Sequence, residues 1–331
     1  MPIDPALVPF LPFPSLPENI DFPAWRAQEE ANGEALVSQI AEPGPDVAEH
    51  RVETIPVEGG TIELGIFRPV SAGVLPLHMY VHGGGWVAGS GLSLSTAIIG
   101  RERAVGAQCV VITVNYRKAP EHQFPVPLQD CQAALEWAIQ HAEQLGIDTN
   151  TITLGGGSAG ANLAAALTLK LRDEHGPAIA LQLLEVPALD LTLSLPSHSD
   201  PELGTKYALH RQDVDRLIPL YLGEDGDPTH PYASPLLADS LAGLPPAYIM
   251  SAEFDLLRDD GQAYADKLNE AAVPAQFSLQ RGHIHPSPAF TKILPAARAW
   301  REEALDVLSA AHGGNLRLPL RSEAGTATST W

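Results

Sequence analysis

The sequence predicts an α/β fold, in which a mostly parallel sheet is covered by helices on both faces. Two observations support this prediction. Several short runs, such as 109–114, are apolar throughout and rich in β-branched residues, and these runs alternate with longer helical patterns, such as 128–145. Parallel strands need crossover connections that are usually helices, and strands buried on both faces are apolar throughout. The 331 residues are compatible with one large α/β unit.

The alternation begins after two strands, Glu49–Val57 and 61–67, which the turn residues Gly59 and Gly60 connect as a hairpin. Further strands are predicted at 77–81, 109–114, 151–154, 179–186, 247–251 and 275–279. Helices are predicted at 22–40, 92–105, 128–145, 159–172, 260–271 and 288–308.

Two stretches do not follow the alternation, and we expect them to form a cap. Residues 1–45 begin with a proline-rich apolar arm, in which proline excludes regular helix, and continue as a helical segment. Residues 189–235 are rich in Pro, Asp and His, and we interpret them as an insertion over the carboxyl edge of the sheet. Residues 46–188 and 236–312 then form the core, and residues 313–331 a flexible tail.

The composition limits the classes of partner. The formal net charge of −20, from 40 acidic and 20 basic residues, disfavours binding of nucleic acid and of anionic lipid. Cys109 and Cys131 lie in apolar patterns typical of buried free thiols, and no Cys/His spacing indicates a metal site. No signal-peptide pattern and no apolar run of about 18 residues occurs. We therefore expect a soluble, cytoplasmic protein without stable membrane insertion.

A catalytic serine is predicted at Ser158. The segment from Gly156 to Gly160 reads Gly-Gly-Ser-Ala-Gly and connects a predicted strand to a predicted helix. In such a sharp turn the glycines prevent a backbone clash, and the serine hydroxyl stands at a helix N-terminus, where negative charge is favoured. The alternative is a plain glycine-rich turn between strand and helix.

An oxyanion hole is predicted from the segment His82-Gly83-Gly84-Gly85-Trp86. Its glycines allow a close approach of the backbone N–H groups to developing negative charge. We assign Gly83 and Gly84 as donors, together with the N–H of Ala159. We expect His82 to hold the loop by hydrogen bonds, and Trp86 to form either pocket wall or core.

A serine nucleophile needs a base, and the base in turn needs an acid that orients it. Two histidines follow the last strand, His283 and His285, and the residues alone do not choose between them. Four carboxylates follow the preceding strand: Glu253, Asp255, Asp259 and Asp260. Glu253 comes too early in the turn, whereas Asp259 and Asp260 begin a helix, where acidic residues are common. Asp255 is therefore the candidate, and the order Ser, Asp, His is that of α/β-hydrolases.

These motifs together resemble the hormone-sensitive-lipase-like esterases, the bacterial branch of the α/β-hydrolases. The segment from Asn115 to His122 resembles the family's DYRLAPEH motif, and that from Asp255 to Asp259 resembles DPLRD. The resemblance covers roughly residues 45–310. It implies an eight-stranded sheet with a helical cap, esters with short to medium acyl chains as substrates, and no cofactor. It also selects His285 as the base, and it allows a homodimer because family members are often dimers.

Four positions differ from the family pattern. Gly157 replaces the usual Asp or Thr, which removes an anchor beside the nucleophile. Pro286 and Ser287 replace Gly and Phe after the catalytic histidine and change the pocket shape. Glu185 stands where the family is apolar or tyrosyl. It either faces the pocket and selects a polar or cationic substrate, or it is solvated or salt-bridged.

The function predicted is a serine-dependent carboxylesterase that works through an acyl-enzyme. An amidase, formamidase or lactonase would use the same triad, since the fold does not distinguish these reactions. A panel of esters and aryl-formamides would separate them. A ligand-binding receptor on an inactive hydrolase scaffold is an alternative of another class, and labelling by a fluorophosphonate would exclude it.

Overall fold

The computed structural model describes residues 2–11 and 13–318, and its centre is one eight-stranded sheet. The strands are β1 (Glu49–Val57), β2 (Gly60–Arg68), β3 (Leu75–Val81), β4 (Val110–Asn115), β5 (Ile147–Gly157), β6 (Leu181–Glu185), β7 (Ala247–Phe254) and β8 (Ala275–Ile284). Their order is β1-β2-β4-β3-β5-β6-β7-β8. The predicted fold class and strand number are confirmed.

The direction of the strands follows from their connections. The β1–β2 hairpin and the β2–β4 pair are antiparallel, whereas every neighbouring pair from β4 to β8 is parallel. Strand β4 is buried along almost its whole length, while β1 at the sheet edge is largely exposed. The carboxyl ends of β3, β5, β6, β7 and β8 therefore meet at one edge, where ligands bind in such sheets.

Helices cover both faces of the sheet. They are α1 (Phe22–Ile40), α2 (Leu94–Gly106), α3 (Val126–Gln140), α4 (Ala142–Leu145), α5 (Ala159–Asp173), α6 (Leu203–Lys206), α7 (Arg211–Leu222), α8 (Arg258–Glu270) and α9 (Pro295–His312). Helices α3, α5 and α8 pack in one hydrophobic core through residues such as Leu163 and Leu268. Helices α2 and α9 pack in a second core, which contains Ala104, Trp300 and Leu308.

Three local predictions were wrong. The N-terminal arm is not wholly irregular, because Pro5–Phe10 form a 3₁₀ helix whose first turn Asp4 caps, accepting from the Ala6 N–H at 2.9 Å. The helix predicted at 128–145 is interrupted at His141. The last helix begins at Pro295 and not at residue 288, which lies in the short 3₁₀ helix Ser287–Ala289. Proline fits the first helical turn, where its missing N–H costs nothing.

The N-terminal arm and the insertion contact each other near the carboxyl edge. Arg216 of α7 donates to the carbonyl oxygens of Leu16 at 2.6 Å and Pro17 at 2.5 Å. Asp213 of the same helix accepts from the Leu16 N–H at 3.0 Å. The division of the chain into cap and core segments stays a prediction, and residues 319–331 of the predicted tail lie outside the described residues.

Candidate active site

Ser158 lies at the sharp turn between β5 and α5. Its φ of 57° and ψ of −122° are unusual for a non-glycine residue. A Cβ added at Gly160 would lie 2.1 Å from the Val81 carbonyl oxygen, and one at Gly156 would lie 2.6 Å from the same atom. Both positions therefore need glycine for the turn to pack on β3. The Ser158 N–H donates to the Glu185 carbonyl oxygen at 2.8 Å, which ties the turn to β6.

Three predicted side chains form one hydrogen-bonded line. The Nε2 atom of His285 lies 2.9 Å from Ser158 Oγ, and its Nδ1 atom lies 2.7 Å from Asp255 Oδ2. Asp255 is buried, and its other oxygen accepts from the Leu257 N–H at 3.0 Å. With the proton on Nδ1 shared with Asp255, Nε2 is free to accept a proton from the serine hydroxyl.

The other candidates of these two loops lie elsewhere. His283 is buried against Trp300, with its Nδ1 2.6 Å from Ser287 Oγ, and burial lowers its pKa. Glu253 accepts from the Gly282 N–H at 2.8 Å. Asp259 accepts from the Ser197 N–H at 2.9 Å. The geometry thus places His285 and Asp255, and not their neighbours, beside Ser158.

The loop after β3 brings free backbone N–H groups to the serine. Gly83 approaches so closely that an added Cβ would lie 3.3 Å from Ser158 Cβ. Gly84 has a φ of +118°, which favours glycine. In the described part of the chain, the N–H groups of Gly83 and Gly84 donate to no backbone acceptor. Ala159 is the first residue of α5, where N–H groups lack partners inside the helix.

His82 and Trp86 stabilise this loop from two sides. The His82 ring stacks on Tyr116 at 4.3 Å, and its Nδ1 lies 2.7 Å from the Gly83 carbonyl oxygen. Burial and then the charge of Lys118 lower the pKa of His82 to about 3, so the ring stays neutral. The buried Trp86 stacks on Tyr221 at 4.4 Å and also lines the cavity beside Ser158, so it belongs to both core and pocket wall.

A cavity of about 570 Å³ opens in front of Ser158 and His285. This volume is in the range of small-molecule sites. Its walls come from distant parts of the chain: the arm contributes Leu16, and the stretch before and within α7 contributes Leu209, Val214 and Leu217. These four side chains are apolar. The cavity therefore suits the apolar part of a small substrate.

Glu185, one of the unusual positions, is salt-bridged and also lines the cavity. Its carboxylate accepts from the Arg103 guanidinium and, at 3.0 Å, from Trp300 Nε1. The sequence alternatives for Glu185 were thus not exclusive. Glu185 is also the sheet partner of Gly157. A carboxylate on the neighbouring strand therefore lies beside position 157, where the family pattern has Asp or Thr.

Two residues with structural roles near the site were not predicted. Asp260 accepts from the N–H groups of Leu189 at 2.7 Å and Asp190 at 3.0 Å, and lies 2.6 Å from His198 Nε2. It thereby anchors the start of the insertion to α8. Asn162 of α5 donates to the carbonyl oxygens of Ala188 and Ala233, both at 2.8 Å. No sequence signal separates these contacts from ordinary helix polarity.

Among the described residues, no cluster of His, Cys, Asp and Glu could hold a metal ion. No helix within residues 2–11 and 13–318 is both long and apolar enough to cross a bilayer.

Comparison with known proteins agrees with this geometry. A family model described as the alpha/beta hydrolase fold matches residues 78–288. The chain belongs to this α/β-hydrolase family. The match includes the Gly83 loop, the Ser158 turn, Asp255 and His285. The predicted resemblance to hormone-sensitive-lipase-like esterases is confirmed.

Several named relatives of this α/β-hydrolase are esterases. It is 37% identical over 270 residues to the carboxylesterase NlhH of Mycobacterium tuberculosis, covering 80% of this chain and 83% of the relative. It is 35% identical over 285 residues to an arylesterase of Saccharolobus solfataricus, and the match covers 86% of this chain and 92% of the relative. A solved structure, a hyperthermophilic esterase of the archaeon Pyrobaculum calidifontis, superposes with a TM-score of 0.85 at 33% identity. The superposition covers 94% of this chain and 99% of the esterase chain. The predicted enzyme class, a carboxylic ester hydrolase, is confirmed.

Proposed function

We propose that this enzyme hydrolyses carboxylic esters with short to medium acyl chains through an acyl-enzyme on Ser158. The observation that carries the proposal is the line from Asp255 through His285 to Ser158, with hydrogen-bond distances of 2.7 and 2.9 Å, at the wall of the cavity. Such a line allows an imidazole to remove the proton of a serine hydroxyl during attack.

In the first half of the reaction, Ser158 Oγ attacks the ester carbonyl carbon while His285 Nε2 takes its proton. Asp255 holds the His285 tautomer and stabilises the imidazolium that forms. The carbonyl oxygen becomes an oxyanion and accepts hydrogen bonds from the N–H groups of Gly83, Gly84 and Ala159. The alcohol then leaves with the proton from His285.

In the second half, water takes the place of the alcohol. His285 removes a proton from the water, whose oxygen attacks the acyl carbon, and the same N–H groups stabilise the second oxyanion. Collapse of this intermediate releases the acid and returns the proton to Ser158. Trp86 forms part of the substrate pocket, and the N-terminal arm and α7 form the cap over it.

The test is the Ser158→Ala protein with p-nitrophenyl butyrate as substrate. We expect kcat/KM to fall by about 10⁴-fold or more, because only binding and the oxyanion donors remain. A fluorophosphonate probe should label the wild type and leave Ser158→Ala unlabelled. Ser240→Ala, in a surface loop, is the matched control and should behave as wild type. Hydrolysis by Ser158→Ala at the wild-type rate would refute the proposal.

The reaction class is tested against amides with the same protein. Aryl-formamides and p-nitroanilides of matched acyl length are compared with the esters by kcat/KM. We expect the esters to be preferred, since the named relatives are esterases. A higher kcat/KM for the amides would replace the ester proposal by an amidase using the same residues.

A further inference from the structure

The cavity in front of Ser158 has a second set of walls, which the cap does not supply. They come from β3, β5, β6, α2 and α9, and we call this region the side pocket. It is defined by Tyr80, Arg103, Gly157, Glu185 and Trp300, all of which line the same cavity as Ser158. Three of these residues, Tyr80, Arg103 and Glu185, bring polar groups to the cavity.

Tyr80 presents a hydroxyl group to the side pocket. Its side chain is buried, with 6% of the residue exposed, yet its hydroxyl has no hydrogen-bond partner among the described residues. Because this hydroxyl opens into the cavity, it can donate a hydrogen bond to a group of the substrate that occupies the cavity. A Cβ added at Gly157 would lie 3.3 Å from Tyr80 Oη, which places the hydroxyl beside the residue that precedes Ser158.

The surrounding charges determine what this hydroxyl can bind. Burial, with the charge of Glu185, raises the pKa of Tyr80, so the hydroxyl keeps its proton and donates. The Arg103 guanidinium lies over the Tyr80 ring, 4.6 Å from its centroid, and fixes the ring in place. Arg103 also contacts His78 Nε2 at 2.9 Å and is paired with Glu185. Because these charges compensate each other, the side pocket favours a neutral ligand group.

Fold stability alone does not explain the buried ion pair of the side pocket. A buried pair between Arg103 and Glu185 stabilises a fold no better than apolar residues of the same volume. Beside the nucleophile, it instead keeps Tyr80 oriented and the pocket polar. Gly157 supplies the space, since any side chain at this position would project toward the Tyr80 hydroxyl.

We propose that the side pocket binds a neutral oxygen of the substrate, a hydroxyl, ether or keto group near the ester carbonyl, which accepts a hydrogen bond from Tyr80. This inference rests on the proposed function, because it names the substrate class of the same site. The oxygen belongs either to the acyl group or to the alcohol, and the two cases are separated by experiment.

The test uses two pairs of esters that match in shape and differ in one oxygen. Methyl 3-hydroxybutanoate against methyl 3-methylbutanoate tests the acyl side, and 2-methoxyethyl acetate against butyl acetate tests the alcohol side. The quantity compared is the ratio of kcat/KM within a pair, measured by acid release. We expect one ratio to favour the oxygenated ester by about tenfold, the effect of one hydrogen bond.

Variants of Tyr80 and Gly157 test whether the Tyr80 hydroxyl causes the preference for the oxygenated ester. Tyr80→Phe should bring that ratio close to one, and Gly157→Ala should lower it by filling the space. Tyr248→Phe is the matched control: Tyr248 is equally buried, on β7 of the same sheet, but its hydroxyl donates to Glu303 outside the cavity. It should keep the wild-type ratio.

Two results would overturn the inference: wild-type ratios near one for both pairs, or a preference that persists in Tyr80→Phe. Neither would affect the proposed function, provided that wild type hydrolyses the plain esters and Ser158→Ala does not. Loss of hydrolysis of all four esters in the wild type would contradict the function itself.

Discussion

At the scale of the residue, the nucleophile depends on contacts that hold its backbone in an unfavourable conformation. The positive φ of Ser158 costs about 1–3 kcal/mol, which the surrounding structure must offset. The bond from its N–H to Glu185 and the close packing of Gly160 on β3 are the contacts that do so. As a result the hydroxyl stands at the N-terminus of α5, directed toward His285.

The role of Asp255 leads to a prediction about the imidazole. In Asp255→Asn, the carboxamide can donate to Nδ1 and so favour the wrong His285 tautomer, and it cannot stabilise the imidazolium. We expect kcat for p-nitrophenyl butyrate to fall by about 10³- to 10⁴-fold with little change in KM. Asp259→Asn, in the first turn of α8, is the control and should stay within about threefold. Retention of a tenth of the wild-type kcat by Asp255→Asn would contradict the assignment.

Lys118 gives a prediction about stability and pH. Burial and the charge of Arg26 lower the pKa of Lys118 to about 8 from 10.5. Between these values the unfolded chain binds a proton that the folded chain does not, so the contribution of Lys118 to the free energy of unfolding rises with pH. Urea unfolding of wild type and Lys118→Met at pH 8 to 10.5 should show a difference that grows in favour of wild type. Parallel pH dependences would show that Lys118 titrates normally when folded.

At the scale of the element, segments with a regular pattern could be predicted and segments held by distant contacts could not. Helix α1 begins and ends where its pattern predicts, and strand β1 likewise. The turn at Ser158 was predictable because glycine at 156 and 160 has a local steric cause. The start of α9 was not, because the preceding 3₁₀ helix depends on Ser287, whose hydroxyl bonds His283 and Ile284.

The candidate site likewise contains residues that a local sequence pattern identifies and residues whose role depends on distant contacts. The residues of the triad and the Gly83 loop carry local sequence patterns, whereas Tyr80 is indistinguishable in sequence from any aromatic residue of a buried strand. Its open hydroxyl arises only because Gly157 and Arg103, from other elements, lie next to it. The anchoring of the insertion by Asp260 has the same character, since its partner His198 is 62 positions away.

That anchor leads to a prediction for helix α8 and the insertion. Asp260→Ala removes the acceptor of two N–H groups and the partner of the buried His198. We expect the free energy of unfolding to fall by about 3 kcal/mol or more, because three buried donors or acceptors lose their partner at once. The measurement is urea denaturation. The exposed Asp225→Ala should change it by no more than about 0.5 kcal/mol. A loss below about 1 kcal/mol for Asp260→Ala would show that the insertion is held by other contacts.

At the scale of the whole molecule, the cavity is formed where the carboxyl edge of the sheet, the N-terminal arm and the insertion meet. The parallel strands bring Ser158, Asp255 and His285 to one edge of the sheet, because their carboxyl ends coincide there. The arm and the insertion then close the space above this edge, held together by Arg216 and Asp213. The cavity size therefore depends on contacts between segments about 200 positions apart, which no local pattern encodes.

The size of this cavity leads to a prediction about acyl chain length. Each methylene group transferred from water to the apolar wall contributes about 0.8 kcal/mol, or roughly a fourfold gain in kcat/KM. The gain ends when the space of about 570 Å³ is filled, and longer chains must then displace Leu16 or Leu217. For p-nitrophenyl esters from acetyl to dodecanoyl, we expect kcat/KM to rise, reach a maximum between butanoyl and octanoyl, and then fall. Ser158→Ala supplies the background rate at each chain length, and a maximum at dodecanoyl would mean that the arm and α7 open to admit long chains.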